Sequence, residues 1–133
     1  MQLHDIFQIG SKGIILNQEN KLLLLQAKDG DEIYWDLPGG RVHIDEKFKT
    51  AFFRELAEET GISTLKNVEY QGLIPTNKRL TMSTNQKVGL IYAIYTAQVN
   101  NDVQIQLSSE HHHFEWKPVS EALIILSDTY GKT

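Results

Sequence analysis

The 133-residue chain contains no cysteine, which excludes disulfide bonds, thiolate zinc sites and cysteine nucleophiles. It also lacks an excess of basic residues, because 13 Lys and Arg stand against 17 Asp and Glu and give a net charge of −4. This balance argues against a basic face that would bind a nucleic-acid duplex. A small phosphorylated substrate remains compatible with it, because divalent metal ions can supply local positive charge.

Long apolar runs are absent as well. Apolar runs such as Leu22 to Leu25 are far shorter than a membrane span requires. The N-terminus has no basic stretch followed by an apolar one, the pattern of a secretion signal. We therefore expect a cytoplasmic protein with no membrane partner, an environment that a chain without cysteine also suits. The length is typical of one compact domain over residues 1–133.

Strands outnumber helices in the pattern of apolar residues. Alternating or short apolar segments predict strands over 7–16, 21–27, 68–74, 88–99 and 113–116, the first two forming a hairpin. Apolar residues at every fourth position predict a helix over about 46–60 that Gly61 ends, and Ser120 is expected to cap a final helix. The combination predicts an α/β or α+β fold with a mixed sheet sandwiched between helices.

Loops are predicted between these elements. The charged segment 28–32, the breaker cluster Leu37-Pro38-Gly39-Gly40 and the polar segment 75–86 are all expected to be irregular backbone.

The helix over 46–60 carries an unusual group of acidic residues. Glu55, Glu58 and Glu59 stand at i, i+3 and i+4, so their carboxylates share one helix face. They lie in the last turns, where the helix dipole disfavours anions. A divalent cation would remove this conflict, and carboxylate oxygens suit Mg²⁺ or Mn²⁺ better than zinc. The alternative interpretation is a solvated acidic face with no ligand.

The spacing around these glutamates is more specific than the glutamates themselves. The matching positions are Gly40, then Glu46, then Arg54-Glu55-Leu56, Glu58-Glu59 and Gly61-Ile62. This run resembles the Nudix box of MutT-like hydrolases at every defined position, over residues 40–62. At average residue frequencies a chance match has a probability on the order of 10⁻⁷. The preceding segment, Trp35 to Gly40, is also similar to family members.

The resemblance implies a site residue by residue. In Nudix hydrolases the box holds one or more divalent ions against a diphosphate, which makes Glu55, Glu58 and Glu59 the expected metal ligands. A backbone carbonyl of Gly39 or Gly40 is expected to join them. Arg54 would pair with a helix glutamate as part of the catalytic group, and Glu46 would steady the box by hydrogen bonding.

The implied reaction is attack of metal-activated water on one phosphorus of a diphosphate. A carboxylate must accept the proton, and family members differ in its location. Glu110 is the expected base because it stands six residues before Trp116, where many Nudix proteins carry an acidic residue. Glu115 and a box glutamate such as Glu58 or Glu59 are the alternatives.

Substrate contacts are less well defined by the sequence. Tyr34, Arg41, Lys78 and Arg79 are the candidate substrate-binding residues, with a solvated loop as the alternative for the last two. Trp35 is expected to pack beneath the loop. His111, His112 and His113 are adjacent and cannot all face one metal if they lie in a strand, so surface positions are expected for them. The alternative is that one of them contacts a substrate phosphate or carries a proton.

The function implied by the resemblance is Mg²⁺- or Mn²⁺-dependent hydrolysis of a diphosphate bond in a nucleotide-like molecule. A catalytically inactive Nudix-like module that binds a nucleotide or a protein is the alternative, although no box glutamate is missing. A Nudix-fold isomerase of isoprenoid diphosphates is disfavoured by the absence of cysteine. Nucleoside triphosphates, ADP-ribose, nucleotide sugars and dinucleoside polyphosphates all remain open as substrates, and a homodimer is open as the assembly.

Overall fold

The computed structural model describes residues 4–130, which form one mixed sheet of seven strands with a helix on each side. The elements are β1 (Phe7–Leu16), β2 (Lys21–Asp29), β3 (Glu32–Asp36), β4 (Gly39–Arg41), α1 (Phe48–Thr60), β5 (Lys66–Thr81), β6 (Lys87–Gln98), β7 (Phe114–Pro118) and α2 (Val119–Tyr130). This α+β sandwich confirms the predicted fold class.

The main path through the sheet runs β3-β2-β1-β6-β5, with β4 paired to β1 and β7 paired to β2. Strands β1 and β6 run parallel over the full length of β1, from Phe7 opposite Gly89 to Leu16 opposite Gln98. The predicted hairpin of β1 and β2 is antiparallel, with Leu16 opposite Leu22. The predicted strand over 88–99 is therefore central, since β6 has partners on both sides.

Strand β2 shows how the two apolar layers form. Leu23 and Leu25 face α1 and pack with Phe52 and Leu56, whereas Leu22 and Leu24 point the other way, towards α2. Successive side chains of a strand alternate between faces, so a sheet covered on both sides buries a continuous apolar run. This placement fixes α1, and the acidic residues on it, against one face of the sheet.

Two of the predicted loops are wrong. The segment 75–86 lies mostly in β5, which continues to Thr81, because pairing with β6 overrides the polar composition of this stretch. The segment 28–32 is shorter than expected, since β2 extends to Asp29 and β3 begins at Glu32. Lys78 and Arg79 are consequently strand residues.

The breaker cluster is irregular only in part, because Gly39 and Gly40 belong to β4 and pair with Lys12 and Ser11. Gly39 has a φ of 141°, and a Cβ atom there would lie 2.0 Å from the carbonyl oxygen of Ser11. Only glycine permits this approach, so the residue type that suggested a loop serves a tight strand contact instead.

The helix ends agree partly with the prediction. Helix α1 begins at Phe48, later than predicted, and its C-cap is Gly61 with a φ of 75°, as expected. Helix α2 already includes Val119, so Ser120 lies inside the helix and is not its cap. Neither helix has the length and apolar composition that a bilayer crossing would need within residues 4–130.

Candidate active site

Helix α1 presents its acidic face to a cavity of about 560 Å³. The residues around it come from β4, α1 and the segment before β7, namely Gly39, Gly40, Arg41, Glu55, Glu58, Glu59, Ser108, Ser109 and Glu110. The structure thus brings the three expected metal-binding glutamates, the two glycines and the expected base to one place.

Arg54 connects the carboxylates with the loop that precedes the helix. Its Nε and Nη2 atoms donate to the two oxygens of Glu46 at 2.7 and 2.9 Å, and Nη1 donates to Glu55 at 2.9 Å. Nη1 also lies 3.3 Å from Glu58, and Nη2 donates to the carbonyl of Arg41 at 3.0 Å. Arg54 therefore orients both Glu55 and Glu58, as a residue behind the ligands would.

Glu46 has the steadying role that the sequence suggested. Besides the two bonds from Arg54, it accepts a hydrogen bond from the backbone amide of His43 at 2.9 Å. The hydrogen bonds from Arg54 lower the pKa of Glu46 to about 2. Glu46 is therefore a charged clamp on the loop before α1 and lies outside the group that lines the cavity.

Glu59 is the most buried of the acidic residues that line the cavity, with 7% of its surface exposed. Its Oε1 accepts a hydrogen bond of 2.6 Å from the amide of Gly39. Burial raises the pKa of Glu59 to about 7, against the opposing influence of the Lys12 charge and the Gly39 bond. A carboxylate in this environment gains most from a cation that would replace the lost hydration.

Gly40 makes room for the next carboxylate. A Cβ atom at this position would lie 2.5 Å from the carboxyl group of Glu55, closer than real Cβ contacts come. Any other residue type would push Glu55 out of the cavity or displace β4. The glycine of the box is thus required by the position of the glutamate on α1.

Glu110 reaches the cavity through a segment that crosses the end of α1. The amide of Gln106 donates to the carbonyl of Thr60 at 2.8 Å, and the amide of Ser108 donates to that of Glu59 at 3.2 Å. Glu115, the alternative base, lies on β7 and pairs with Lys117 at 2.7 Å, outside the cavity. The geometry therefore favours Glu110 over Glu115.

The expectation of surface histidines is wrong for His111. It lies before β7, outside any strand, and its side chain is 11% exposed, with Nε2 3.8 Å from Oε2 of Glu59. Burial lowers the pKa of His111, so the neutral imidazole faces the Glu59 carboxyl. Within residues 4–130, no hydrogen-bond partner reaches its buried Nδ1 atom. By contrast, His113 is half exposed and packs against Trp35.

A groove continues from the carboxylate cavity along the sheet. The next cavity, of about 240 Å³, shares Gly40 and Arg41 with the first and is also lined by Tyr34 and Lys78. A third cavity, of about 470 Å³, shares Tyr34 and Lys78 with the second and adds Arg79. All four candidate substrate-binding residues therefore line a row of three neighbouring cavities, here called the groove, and the first of these cavities holds the glutamates.

The cations of this groove are held in different ways. The ammonium of Lys78 lies 5.6 Å from the ring centres of both Tyr34 and Tyr130, a cation–π distance. Arg79 forms an exposed ion pair with Asp5 at 2.8 Å. Trp35 packs in the apolar cluster on the α2 side, as predicted.

The residues around the cavity fit a divalent cation in donor type and charge. The carboxylate and carbonyl groups around it supply oxygen donors, and Arg54 pairs with only two of the four lining glutamates, Glu55 and Glu58. In the part of the chain that the structure describes, no three acidic or histidine side chains converge closely enough to hold a metal ion. The assignment of Glu55, Glu58, Glu59 and Gly40 as ligands remains a prediction.

A buried charge pair next to the cavity was not predicted from the sequence. Lys12 and Asp36 are both 7% exposed, and Nζ lies 3.2 Å from Oδ2. The charge of Asp36 raises the pKa of Lys12 even though burial opposes it, so the lysine stays protonated. The sequence did contain an indication of this pair, because Lys12 is the only charged residue of the largely apolar strand β1 and a buried charge needs a partner.

Known proteins share both the sequence pattern and the fold. The family model described as NUDIX domain matches residues 7–132. An RNA pyrophosphohydrolase of Pelagibacter ubique is 29% identical over 116 residues, covering 78% of this chain and 70% of that protein. The asymmetrical bis(5'-nucleosyl)-tetraphosphatase of Rattus norvegicus is 31% identical over 106 residues, with 80% and 69% covered.

A solved structure of a MutT protein from Methanosarcina mazei superimposes with a TM-score of 0.71 at 25% identity, covering 97% of this chain and 94% of that one. The similarity therefore extends over nearly the whole sheet and both helices, well beyond the segment 40–62.

Proposed function

The chain belongs to the Nudix family of hydrolases, and from this premise we propose that it cleaves a diphosphate linkage in a nucleotide-like substrate. The observation that carries the proposal is the single cavity that gathers Glu55, Glu58, Glu59 and Glu110 beside Gly39 and Gly40. This acidic cavity opens into a groove lined by Arg41 and Lys78, which suits a substrate with phosphates at one end.

Mg²⁺ or Mn²⁺ is the proposed cofactor, and Glu55, Glu58 and Glu59 with a carbonyl of Gly39 or Gly40 are the proposed ligands. Divalent ions would neutralise the phosphoryl oxygens and make water more acidic. Arg54 is the residue that orients Glu55 and Glu58, through its bonds of 2.9 and 3.3 Å. Glu59 is positioned separately, by the amide of Gly39.

Glu110 is the proposed general base. In the reaction a water oxygen forms a bond to one phosphorus, the bridging P–O bond breaks, and the leaving phosphate keeps that electron pair. The proton of the water passes to the Glu110 carboxylate, which is exposed and lines the same cavity as the box glutamates. General base catalysis of this kind contributes about 10²- to 10⁴-fold.

The groove beyond Gly40 is the proposed site for the rest of the substrate. Arg41 and Lys78 would bind phosphates that remain on the nucleotide, and Tyr34 offers an aromatic ring beside them. Relatives named RNA pyrophosphohydrolase and bis(5'-nucleosyl)-tetraphosphatase support a nucleoside polyphosphate as the substrate class. Arg79 lies further along the groove and is the proposed contact for a distal group.

The proposal is tested by incubating the protein with Mg²⁺ and a panel of nucleoside triphosphates, ADP-ribose, nucleotide sugars, dinucleoside polyphosphates and 5'-triphosphorylated RNA. Mass spectrometry in ¹⁸O-labelled water identifies the products and the phosphorus that acquires the label. We expect label in one phosphate product and no product after metal chelation. The absence of turnover for every compound, with the metal site shown to be loaded, would refute a hydrolase of this class.

A further inference from the structure

A contribution to the stability of the fold does not by itself explain why the ion pair of Lys12 and Asp36 is buried. Both residues are 7% exposed, and their charged atoms lie 3.2 Å apart. Removing two charges from water costs several kcal/mol for each ion, and apolar residues of similar size often stabilise a fold as well. A buried ion pair of this kind therefore calls for a role beyond packing.

The hydrogen bonds of the ammonium show what the pair contacts. Nζ donates to Oδ2 of Asp36 at 3.2 Å and to the carbonyls of Leu37 and Gly39 at 3.1 and 3.3 Å. An ammonium has three donors, so this set uses all of them. Two of the three acceptors are backbone carbonyls of residues 37–39, the turn that leads from β3 into the first residue of β4, and Lys12 thereby fastens this turn to β1.

The same turn holds the most buried acidic residue of the cavity. The amide of Gly39 donates to Glu59 at 2.6 Å, while the carbonyl of Gly39 accepts from Lys12. Gly39 is thus hydrogen-bonded both to Lys12 on β1 and to Glu59 on α1. A displacement of the turn would therefore move both the Gly39 amide, which orients Glu59, and the Gly39 carbonyl.

Helix α2 contacts the other member of the ion pair, Asp36. The hydroxyl of Tyr130 donates to Oδ1 of Asp36, and the amide of Leu37 donates to the same oxygen at 2.7 Å. The ring of Tyr92 lies 5.3 Å from Nζ of Lys12. Asp36 is therefore fixed from β1, from α2 and by its own neighbour in the chain.

We propose that Lys12 is a positioning residue for the metal site, holding the Gly39 peptide groups in the orientation that lets Glu59 and this turn take up a divalent ion. The inference rests on the proposed function, because it assumes a metal at Glu59. No position of the 40–62 motif includes Lys12 or Asp36. The competing explanation is that Lys12 only neutralises Asp36 and has no influence on metal binding.

The double variant Lys12→Met/Asp36→Asn separates the two explanations. It removes both charges together and so avoids an unpaired buried ion, and we expect thermal unfolding close to that of the wild type. It also removes the donor to Gly39. We expect Mn²⁺, titrated without nucleotide and followed by the electron paramagnetic resonance of the free ion, to bind about 10- to 100-fold more weakly.

The matched control is Lys21→Met/Glu19→Gln, which deletes an exposed ion pair of 3.4 Å at the turn after β1. It should bind Mn²⁺ like the wild type. Equal affinity in the wild type and the Lys12→Met/Asp36→Asn variant would overturn this inference alone. Absence of Mn²⁺ binding in the wild type would overturn the proposed metal site, and the inference with it.

Tyr130→Phe tests the same contacts without altering a charge, and it serves if the double variant does not fold. The loss of one hydroxyl bond to Asp36 should loosen the turn, so we expect faster hydrogen exchange of the Gly39 amide and weaker Mn²⁺ binding. Tyr70→Phe, on the exposed face of β5, is the control. Wild-type exchange and affinity in Tyr130→Phe would contradict the proposed positioning role.

Discussion

The two ends of the groove are built differently. At the carboxylate end, Glu46, Arg54 and Glu59 are all hydrogen-bonded to backbone groups, at 2.9, 3.0 and 2.6 Å. At the distal end, Lys78 rests between two tyrosine rings and Arg79 forms an exposed ion pair. The first end is held by a connected network that includes the backbone, whereas the cations of the second end are held by contacts between side chains alone.

This difference assigns separate roles to the two ends. Catalysis needs groups fixed within fractions of an ångström, which a network anchored to the backbone provides. Recognition of variable substrates tolerates long, mobile side chains on a groove wall. We therefore expect substitutions at the carboxylate end to affect metal binding and kcat, and those at the distal end to affect KM and substrate preference.

The largest effect is expected for Glu59→Gln, which keeps the shape of the side chain and removes its charge. Turnover should fall by more than about 10²-fold, since loss of even an outer partner of a metal ligand costs 10- to 100-fold. Circular dichroism and thermal unfolding should show an intact fold, because the amide oxygen can still accept from Gly39. Full activity would remove Glu59 from the mechanism.

The next largest effect is expected for Glu110→Gln. If Glu110 accepts the proton, kcat should fall by about 10²- to 10⁴-fold, while Mn²⁺ affinity stays near the wild-type value. Glu115→Gln is the matched control, since Glu115 lies on β7 and pairs with Lys117. An unchanged rate for Glu110→Gln together with a reduced rate for Glu115→Gln would reverse the assignment.

A smaller and different effect is expected for Lys78→Gln at the distal end. Loss of one charge-assisted contact of about 1.5 kcal/mol should raise KM about tenfold and leave kcat within about twofold. Lys66→Gln, at the opposite end of the same strand, is the control. A fall in kcat without a change in KM would show that Lys78 acts in the reaction itself. The separate roles assigned to the two ends of the groove would then be wrong.

The smallest effect concerns stability and pH. The folded-state pKa of Glu46 is lowered to about 2 from a usual 4.5, so its bond to Arg54 stabilises the fold above about pH 4.5. This contribution should disappear as the pH falls from about 4.5 through about 2. Thermal midpoints of the wild type and Glu46→Gln, measured from pH 7 downwards, should therefore converge at low pH. A constant difference would exclude this linkage.

The carboxylate end was predictable because most of its parts are neighbours in the sequence. Glu55, Glu58 and Glu59 share a helical face through the 3.6-residue period alone, and the spacing to Gly40 is part of the same motif. The positions of β1, β2, β6 and β7 and the end of α1 at Gly61 were predictable for the same local reasons, whereas β3 and β4 were not predicted. The fold class followed from the number and type of these elements.

The errors arose where a contact distant in sequence decides the structure. Pro75 and the polar residues after it suggest a loop, but pairing with β6 holds them in β5. His111 seemed a surface residue until the segment crossing α1 buried it beside Glu59. The groove combines β3, β4, β5 and α2, and no local pattern could show that Tyr34 and Lys78 lie together.

The amino-acid sequence by itself determined the family, the acidic helix and the type of chemistry, because periodicity and motif spacing are properties of one continuous segment. Only the tertiary structure decided that Lys12, Asp36 and Tyr130 meet behind Gly39, since they come from three elements far apart in the chain. Burial gives such contacts their strength, because charges removed from water must find partners inside the protein.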